Sequence, residues 1–389
     1  MWRRMLRCTA DPFSGGKFVK HKFLKQRWLG VSFLVLTAAF LQAQGRRGAG
    51  PAGAASTVEH IVVHGKALEG NLEGDSPDRN VTVYLPPSYR TDPNRRYPVV
   101  YLLHGYGAHD DMFTGRLGNL TESADRLASA AGYSSPIIVM PDAFTLHRGS
   151  IYTNSVTTGD WEAFIAKDLV AYIDSHYRTI TARISRGLAG HGMGGYGALR
   201  IGMKHPDVFS SLYVMSAAFL ETTENARPEA AAPAEAIKTR AQAEEAARGE
   251  ESKPEGSGPS LALALAAAWS PNASNGPLFL DLPVKDGKVR ADIAARWSAN
   301  AALSMVENQA SSLNKLYAIA MDIGAKDRAL ASNRRLHETM MRLKIAHSYE
   351  EYDGDTTSRL GDRIERNLLP FFSKALAAPA NPTSPAVQD

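Results

Sequence analysis

Cysteine is almost absent from this sequence, which has one, Cys8, among 389 residues. A single cysteine excludes an intramolecular disulfide. It also precedes the N-terminal apolar run, so no cysteine stands where a lipid could be attached after cleavage of a leader. Metal-site spacings such as H-E-x-x-H are missing as well. The sequence therefore predicts no metal ion and no cofactor.

A strong net charge is missing too. The formal net charge is +4, but the first 43 residues hold eight Lys/Arg and one Asp. The rest of the chain has 36 basic and 39 acidic side chains, a net charge of about −3. Because nucleic-acid binding depends on a basic surface, the sequence predicts no nucleic-acid partner.

Residues 1–43 have the features of an export signal. A basic stretch that ends with Lys25 and Arg27 leads into an apolar run at residues 29–41, and Ala43 offers a small residue for cleavage. This run is too short to span a bilayer comfortably. We therefore expect a signal peptide or N-terminal anchor and an exported protein, periplasmic or secreted, that contacts a membrane only if the segment is uncleaved. A buried N-terminal helix is the alternative.

The rest of the chain alternates between strand and helix patterns. A flexible linker is expected at residues 44–57, one folded domain at 58–376 and a flexible tail at 377–389. Alternation of this kind predicts an α/β fold with a doubly wound, mostly parallel sheet. The expected strands are residues 60–64, 80–85, 97–103, 137–140, 184–189, 212–216, 316–321 and 347–352, and the expected helices are residues 117–131, 161–177, 196–204 and 333–343.

A glycine-rich turn separates a predicted strand from a predicted helix at residues 190–194, whose sequence is G-H-G-M-G. In α/β-hydrolases this place is the nucleophile elbow, G-x-S-x-G, which exposes a serine on a sharp corner. Here the middle residue is Gly192. The turn is therefore predicted to be an elbow without its nucleophile.

Four motifs in order carry a resemblance: V-Y-L-P-P-S-Y at 83–89, Y-P-V-V-Y-L-L-H-G-Y-G at 97–107, Y-T-N-S at 152–155 and the glycine-rich turn at 190–199. Together they resemble the Putative esterase family of α/β-hydrolases, over residues 58–376. That family is similar to S-formylglutathione hydrolase, feruloyl and enterochelin esterases and mycolyltransferases. The resemblance implies an α/β-hydrolase fold with helices on both faces of the sheet.

The resemblance also implies an oxyanion hole. Its backbone N–H donors map to Met193, after the nucleophile position, and to Tyr106, in the turn after the third strand. Backbone donors survive the loss of the serine side chain. The glycines of these turns would be needed for turn geometry in either case.

The other catalytic positions follow late in the chain. The resemblance places the triad acid at Asp327, which is kept, and the triad histidine at Thr356, which is not a histidine. No histidine occurs after His347, so a small error of register does not restore the base. With Gly192 at the nucleophile position, two of three catalytic functions are missing. Asp327 is expected to serve loop structure, accepting backbone hydrogen bonds.

Several side chains are candidates to replace the missing groups. His191 is expected to pack against a neighbouring strand, and His104 to belong to the oxyanion turn. His109 and His147 are expected to be solvated loop residues. The full set of candidates near the cleft is Ser155, Thr356, His104, His109, His147 and His191. A rewired triad is disfavoured because it needs sub-ångström placement.

Residues 221–262 form an insertion rich in Ala, Glu, Lys and Pro, with a helix-prone stretch at 241–247. A mobile lid is one interpretation. A solvated, partly disordered loop is favoured, because the segment offers little apolar surface to bury. Residues 268–272 and 278–284 resemble family segments that line the substrate cleft, although their aromatic content also fits ordinary packing.

Three functions follow from these residues. The leading hypothesis is a hydrolytically inactive esterase homologue that binds an ester, acyl or carbohydrate-linked small molecule, or a partner. The alternative is a carboxylic ester hydrolase or acyltransferase that uses a non-standard nucleophile or a positioned water. A purely structural use of the fold comes third, and a cleft plugged by Phe144, Trp269 or the insertion would favour it.

Overall fold

A computed structural model describes residues 55–222, 228–251 and 258–376. The predicted leader at 1–43, most of the linker at 44–57 and the tail at 377–389 lie outside these residues and stay predictions. Within the described ranges, no helix combines the length and the apolar character that crossing a membrane requires.

An eight-stranded sheet organises the described chain, in the order β1-β2-β4-β3-β7-β8-β11-β12. The two pairs β1–β2 and β2–β4 are antiparallel, and the other five are parallel. The predicted doubly wound, mostly parallel sheet is confirmed. Its strands are β1 (Thr57–His64), β2 (Asp78–Leu85), β3 (Val99–Leu103), β4 (Ile137–Pro141), β7 (Arg186–His191), β8 (Ser211–Met215), β11 (Ala318–Gly324) and β12 (Ser348–Tyr352), and the shorter strands are β5 (Asn154–Ser155), β6 (Gly159–Asp160), β9 (Val284–Lys285) and β10 (Lys288–Val289).

Helices cover both faces of the sheet. One stretch runs from α3 through a π-helical segment, Phe164–Leu169, into α4, and another from α13 through Ile364–Leu368 into α14. The helices are α1 (Ser88–Thr91), α2 (Leu120–Ala128), α3 (Trp161–Ala163), α4 (Val170–His176), α5 (Met193–Lys204), α6 (Pro228–Glu235), α7 (Arg240–Gly249), α8 (Ser260–Trp269), α9 (Ala291–Asn300), α10 (Ala302–Asn308), α11 (Ala310–Leu313), α12 (Leu330–Arg342), α13 (Leu360–Arg363) and α14 (Leu369–Ala375), with short 3₁₀ turns at Lys66–Leu68 and Arg183–Ser185.

The alternation of side chains along the central strands gives the fold two cores. Every residue of β3 is buried, as a strand covered on both faces requires. Val99 and Tyr101 belong to the larger core, while Val100 and Leu102 belong to the core under α2, α13 and α14. Burying both faces fixes the register, because a one-residue slip would exchange the two sets of side chains.

The parallel strands bring the functional loops to one edge of the sheet. The neighbouring strands β3, β7, β8 and β11 are parallel, so the segments that follow them lie at a common carboxyl edge. In open α/β sheets ligands bind at this edge. The two turns predicted to form the oxyanion hole follow β3 and β7, which are adjacent strands.

The insertion is helical rather than a solvated loop, and the favoured expectation was wrong for its described part. Residues 228–235 and 240–249 are α6 and α7, and α8 begins at Ser260. The first turn of α7 is closed by a capping box between Thr239 and Gln242. The helices of the insertion bury small side chains, those of Ala231, Ala234 and Ala243. The expectation of a solvated loop underestimated the apolar surface that alanine can bury.

Candidate functional site

The turn between β7 and α5 has the backbone of a nucleophile elbow. Gly192 has φ +58° and ψ −112°, a conformation that residues with a side chain rarely adopt. Its N–H donates to the Met215 carbonyl at 3.0 Å, and its carbonyl accepts from Ala218 N–H at 3.1 Å. A Cβ atom on Gly192 would meet only the Cα of Gly105, at 3.9 Å. The position has room for a side chain and carries none.

The glycines on either side of the elbow are required by close approach. A Cβ atom on Gly194 would collide with the Leu103 carbonyl, and one on Gly190 would collide with the Gly194 carbonyl. The start of α5 therefore packs directly on the ends of β3 and β7. This packing keeps the turn in shape without any catalytic side chain.

A buried histidine fixes the turn that follows β3. The Nδ1 of His104 lies 2.8 Å from the Gly105 carbonyl, and its Nε2 lies 2.8 Å from the N–H of Ala143. A carbonyl only accepts and an N–H only donates, so Nδ1 carries the hydrogen and Nε2 the lone pair. Burial lowers the pKa of His104, which agrees with this neutral ring. His104 is a structural part of the turn.

Two contacts hold the turn that contains Tyr106, one of the predicted oxyanion donors. The Tyr106 hydroxyl donates to the His147 carbonyl at 2.9 Å, and the N–H of Gly107 donates to the Arg148 carbonyl at 2.9 Å. These bonds hold the turn against the loop after β4. Met193 is the first residue of α5, where a helix leaves its N–H without an acceptor of its own.

His191 links the elbow to the position where the base is missing. Its Nε2 lies 2.7 Å from the Thr356 carbonyl, so Nε2 carries the hydrogen and Nδ1 of the neutral ring carries the lone pair. Burial lowers the pKa of His191, against the smaller effects of the Thr356 hydrogen bond and the Asp327 charge. Among the described residues Nδ1 has no hydrogen-bond partner, and it lies 3.5 Å from where a Cβ atom on Gly105 would be.

The acid and base positions occupy adjacent loops. Asp327 is buried, and its Oδ1 accepts from the N–H of Ala329 at 2.8 Å, the structural bond expected of it. Its Oδ2 is buried without a hydrogen-bond partner in the described chain. The N–H of Lys326 donates to the Gly354 carbonyl at 2.9 Å, which joins this loop to the one containing Thr356.

His147 is buried, so its prediction as a solvated loop residue was wrong. Its Nε2 lies 3.1 Å from the Oε1 of Glu73, and both side chains are almost fully buried. Burial, with the charge of Arg240 as the smaller cause, lowers the pKa of His147 to about 3. Burial also raises the pKa of Glu73 well above its ordinary value.

The remaining substitute candidates are engaged elsewhere. The Oγ of Ser155 donates to the Ala267 carbonyl and accepts from the N–H of Thr157. His109 is half exposed, as expected, and its Nδ1 lies 3.0 Å from the Oδ2 of Asp142. A hydrogen bond to that carboxylate raises the pKa of His109. The hydroxyl of Ser155 is thus occupied by two backbone groups, and the bond to Asp142 fixes the His109 ring in its loop.

Aromatic packing accounts for the side chains that were considered as a plug. The ring centroid of Trp269 lies 5.8 Å from that of Tyr196 and 5.7 Å from that of Trp297. Phe144 stacks on His109, with ring centroids 4.4 Å apart.

In the described ranges no group of three or more His, Cys, Asp or Glu side chains is arranged to hold a metal ion.

A family model described as "Putative esterase" matches residues 76–360. The chain belongs to this family. Curated relatives include two proteins of Mycobacterium tuberculosis, Esterase MT1326 of strain CDC 1551 / Oshkosh and Esterase Rv1288 of strain H37Rv. Each is 37% identical over 135 residues, which are 34% of this chain and 27% of the relative. The match thus spans about a quarter of the length of these relatives.

Solved structures confirm the α/β-hydrolase fold of this esterase-family chain. A ferulic acid esterase is 23% identical, with a TM-score of 0.59, and the match covers 83% of this chain and all of that one. The S-formylglutathione hydrolase FrmB of Staphylococcus aureus is 15% identical, with a TM-score of 0.53 over 82% and 99%. One from Agrobacterium tumefaciens is 18% identical, with a TM-score of 0.53 over 83% and 97%.

Sequence reasoning missed one residue beside the elbow of this esterase-family chain. Ser216 follows β8, the strand next to β7, and has φ +45°. It is buried, and its N–H donates to the Asp322 carbonyl at 2.8 Å. A signal existed, since the residue after a strand adjacent to the elbow strand lies at the same sheet edge. Ser216 lies outside the glycine-rich motifs from which the site was predicted.

Proposed function

We propose that this esterase-family chain is hydrolytically inactive and binds an ester, acyl or carbohydrate-linked small molecule in the cleft. The observation that carries the proposal is Gly192 in the elbow conformation, with space for a side chain and none present. The base position, Thr356, offers a backbone carbonyl to His191 instead of an imidazole. Loss of the nucleophile or the base costs a serine protease on the order of a million-fold in turnover.

The parts that remain support ligand binding. The two turns predicted to form the oxyanion hole lie close together, since a Cβ atom on Gly192 would be 3.9 Å from the Cα of Gly105. The start of α5 adds the partial positive charge of a helix N-terminus. Backbone donors and a helix terminus favour a carbonyl or carboxylate oxygen, which the named ligand classes share.

Hydrolysis of a short-chain p-nitrophenyl ester tests this proposal. We expect the parent to hydrolyse no faster than buffer, and the Gly192→Ser, Thr356→His double variant to gain activity. Each single variant and the double variant with Asp327→Asn are the controls, and all should stay near the background rate because triad residues act as a unit. Parent activity that disappears with Asp327→Ala would overturn the proposal.

The alternative, hydrolysis or acyl transfer by an unusual group, keeps one specific observation in its favour. The lone pair of His191 Nδ1 and the Oδ2 of Asp327 are buried without partners in the described chain. The charge of Asp327 acts on the His191 ring, and a water held by the lone pair of Nδ1 would be polarised for attack. With a positioned water, this alternative predicts parent activity that His191→Asn abolishes and that leaves the chain unlabelled by a fluorophosphonate. With a non-standard nucleophile, it predicts covalent labelling by a fluorophosphonate.

A further inference from the structure

A cavity lies between the described part of the insertion and the segment 275–290. Its volume is about 260 Å³, and it is bounded by the end of α6, the N-terminal half of α8 and the segment 275–290. None of the residues of the elbow, the oxyanion turn or the two late loops lines it. We call it the cap cavity. Whatever it binds does not depend on the chemistry lost at Gly192.

The floor of the cap cavity is apolar. Leu263, Leu278, Leu280 and Val284 line it, and all four are buried. Burying the hydrocarbon of an aliphatic chain against this floor would be favourable. The floor therefore favours a ligand with a hydrocarbon body.

The rim of the cap cavity is basic. Lys238, Lys285 and Arg290 line it, and in the described part of the chain no carboxylate lies within salt-bridge distance of either lysine. Lys288 stands directly opposite Lys285 in the β9–β10 hairpin. Like charges that face each other across two strands are destabilising, and a bound anion would relieve this repulsion.

The acidic side chains of the cavity are already engaged. The Oδ1 of Asp281 lies 3.0 Å from an Nη1 of Arg290, and its Oδ2 accepts from Asn272 at 2.8 Å. Burial alone would raise the pKa of Asp281, but these hydrogen bonds outweigh it and lower the pKa. Glu235 accepts from the N–H of Asp286 at 2.9 Å. The lining therefore carries three positive charges, on Lys238, Lys285 and Arg290, against two negative ones, on Glu235 and Asp281. Asp281 is paired with Arg290, so the two lysines leave the rim with a net positive charge.

We propose that the cap cavity binds a small amphiphilic anion of the medium-chain carboxylate class, with its chain on the leucine floor and its carboxylate between Lys238 and Lys285. The size fits a ligand of this class. Pockets for drug-sized ligands occupy about 300–1,000 Å³, and this cavity, at about 260 Å³, is smaller.

Calorimetric titration of the full chain with octanoate tests the proposal. We expect one saturable octanoate site per chain that depends on the rim lysines, counted apart from any octanoate bound in the cleft, and no such site for octyltrimethylammonium. The Lys238→Glu, Lys285→Glu double variant should weaken binding at least about tenfold, because it reverses the charge of the rim. The matched control is Lys66→Glu, Lys315→Glu, two exposed lysines away from the cavity with the same change in net charge, and it should bind like the parent.

Three results would each overturn the proposal: no saturable octanoate binding, equal binding of octanoate and octanol, or equal weakening by both lysine pairs. The last would mean that net charge, and not the rim, attracts the ligand. The elbow is unaltered in both lysine double variants. A negative octanoate result would therefore say nothing about the cleft, whose proposed function is tested separately by ester hydrolysis.

Discussion

At the scale of single residues, glycine at position 192 removes backbone strain as well as the nucleophile. A side chain at φ +58° is strained, and natural elbows accept this strain because the serine is needed. Gly192 has no such penalty. Gly190 and Gly194 are required for a different reason, because backbone carbonyls occupy the places where their side chains would be.

This difference gives a prediction for alanine substitutions. Gly192→Ala should lower the free energy of unfolding by about 1–3 kcal/mol, the strain of the backbone alone, because its Cβ would meet only Gly105 at 3.9 Å. Gly194→Ala should prevent folding or cost clearly more, since its Cβ would collide with the Leu103 carbonyl. Urea unfolding measures both. No cost at Gly192 would show that a side chain is not strained there, and equal costs would show that the collision at Gly194 is relieved.

What the sequence could reveal at this scale depended on local patterns. The elbow and Asp327 were predicted because short motifs mark them. The burial of His147 could not be predicted, since its partner Glu73 is remote in sequence and no motif joins them. The same holds for His191, whose contact with Thr356 joins segments 165 residues apart.

At the scale of elements, the insertion is attached to the rest of the molecule through Glu250. Its Oε1 accepts from the N–H and the hydroxyl of Ser260, at 3.0 and 2.8 Å. Its Oε2 lies 3.6 Å from the Nη1 of Arg148. Arg148 belongs to the loop after β4, and its carbonyl accepts from the N–H of Gly107 in the oxyanion turn. One buried carboxylate thus connects the end of α7, the start of α8 and the cleft.

Glu250→Ala should therefore loosen the insertion. Hydrogen bonds to a charged group contribute about 1.5–3 kcal/mol, so amide hydrogen exchange in α7 and the first turn of α8 should accelerate by about 10- to 100-fold, measured by mass spectrometry. The exposed neighbour Glu251 supplies the control, Glu251→Ala, which should exchange like the parent. Indistinguishable exchange in the two variants would mean that Glu250 does not hold the insertion.

The elements themselves were largely predictable. All eight strands of the sheet were expected. Buried parallel strands such as β3 give continuous apolar runs, and the antiparallel β1 and β2 are rich in residues with high β-propensity. The strand before the elbow was expected at 184–189 and lies at Arg186–His191, since Arg183–Ser185 forms a 3₁₀ turn first. The insertion was misjudged because its contacts use alanine and a distant arginine, which composition does not reveal.

At the scale of the whole molecule, buried histidines set the response to acid. Burial lowers the pKa of His104, His147 and His191. A histidine with a lowered folded pKa stabilises the fold fully above its unfolded value of 6.5. This contribution is lost as the pH falls toward the folded pKa, because the unfolded state then binds the extra proton. Glu73, with a raised pKa, acts in the opposite direction.

His147→Gln isolates one of these contributions. From pH 6.5 down to about pH 4.5, the parent should lose stability relative to this variant by up to about 1.4 kcal/mol per pH unit, because the folded pKa of His147 is about 3. Urea unfolding at several pH values gives the difference, and comparison with the variant removes the contribution of Glu73. His109→Gln is the matched control. The pKa of His109 is raised, so its contribution is constant below pH 6.5 and is lost only above it. If both differences have the same slope below pH 6.5, the buried state of His147 is not what makes the fold sensitive to acid.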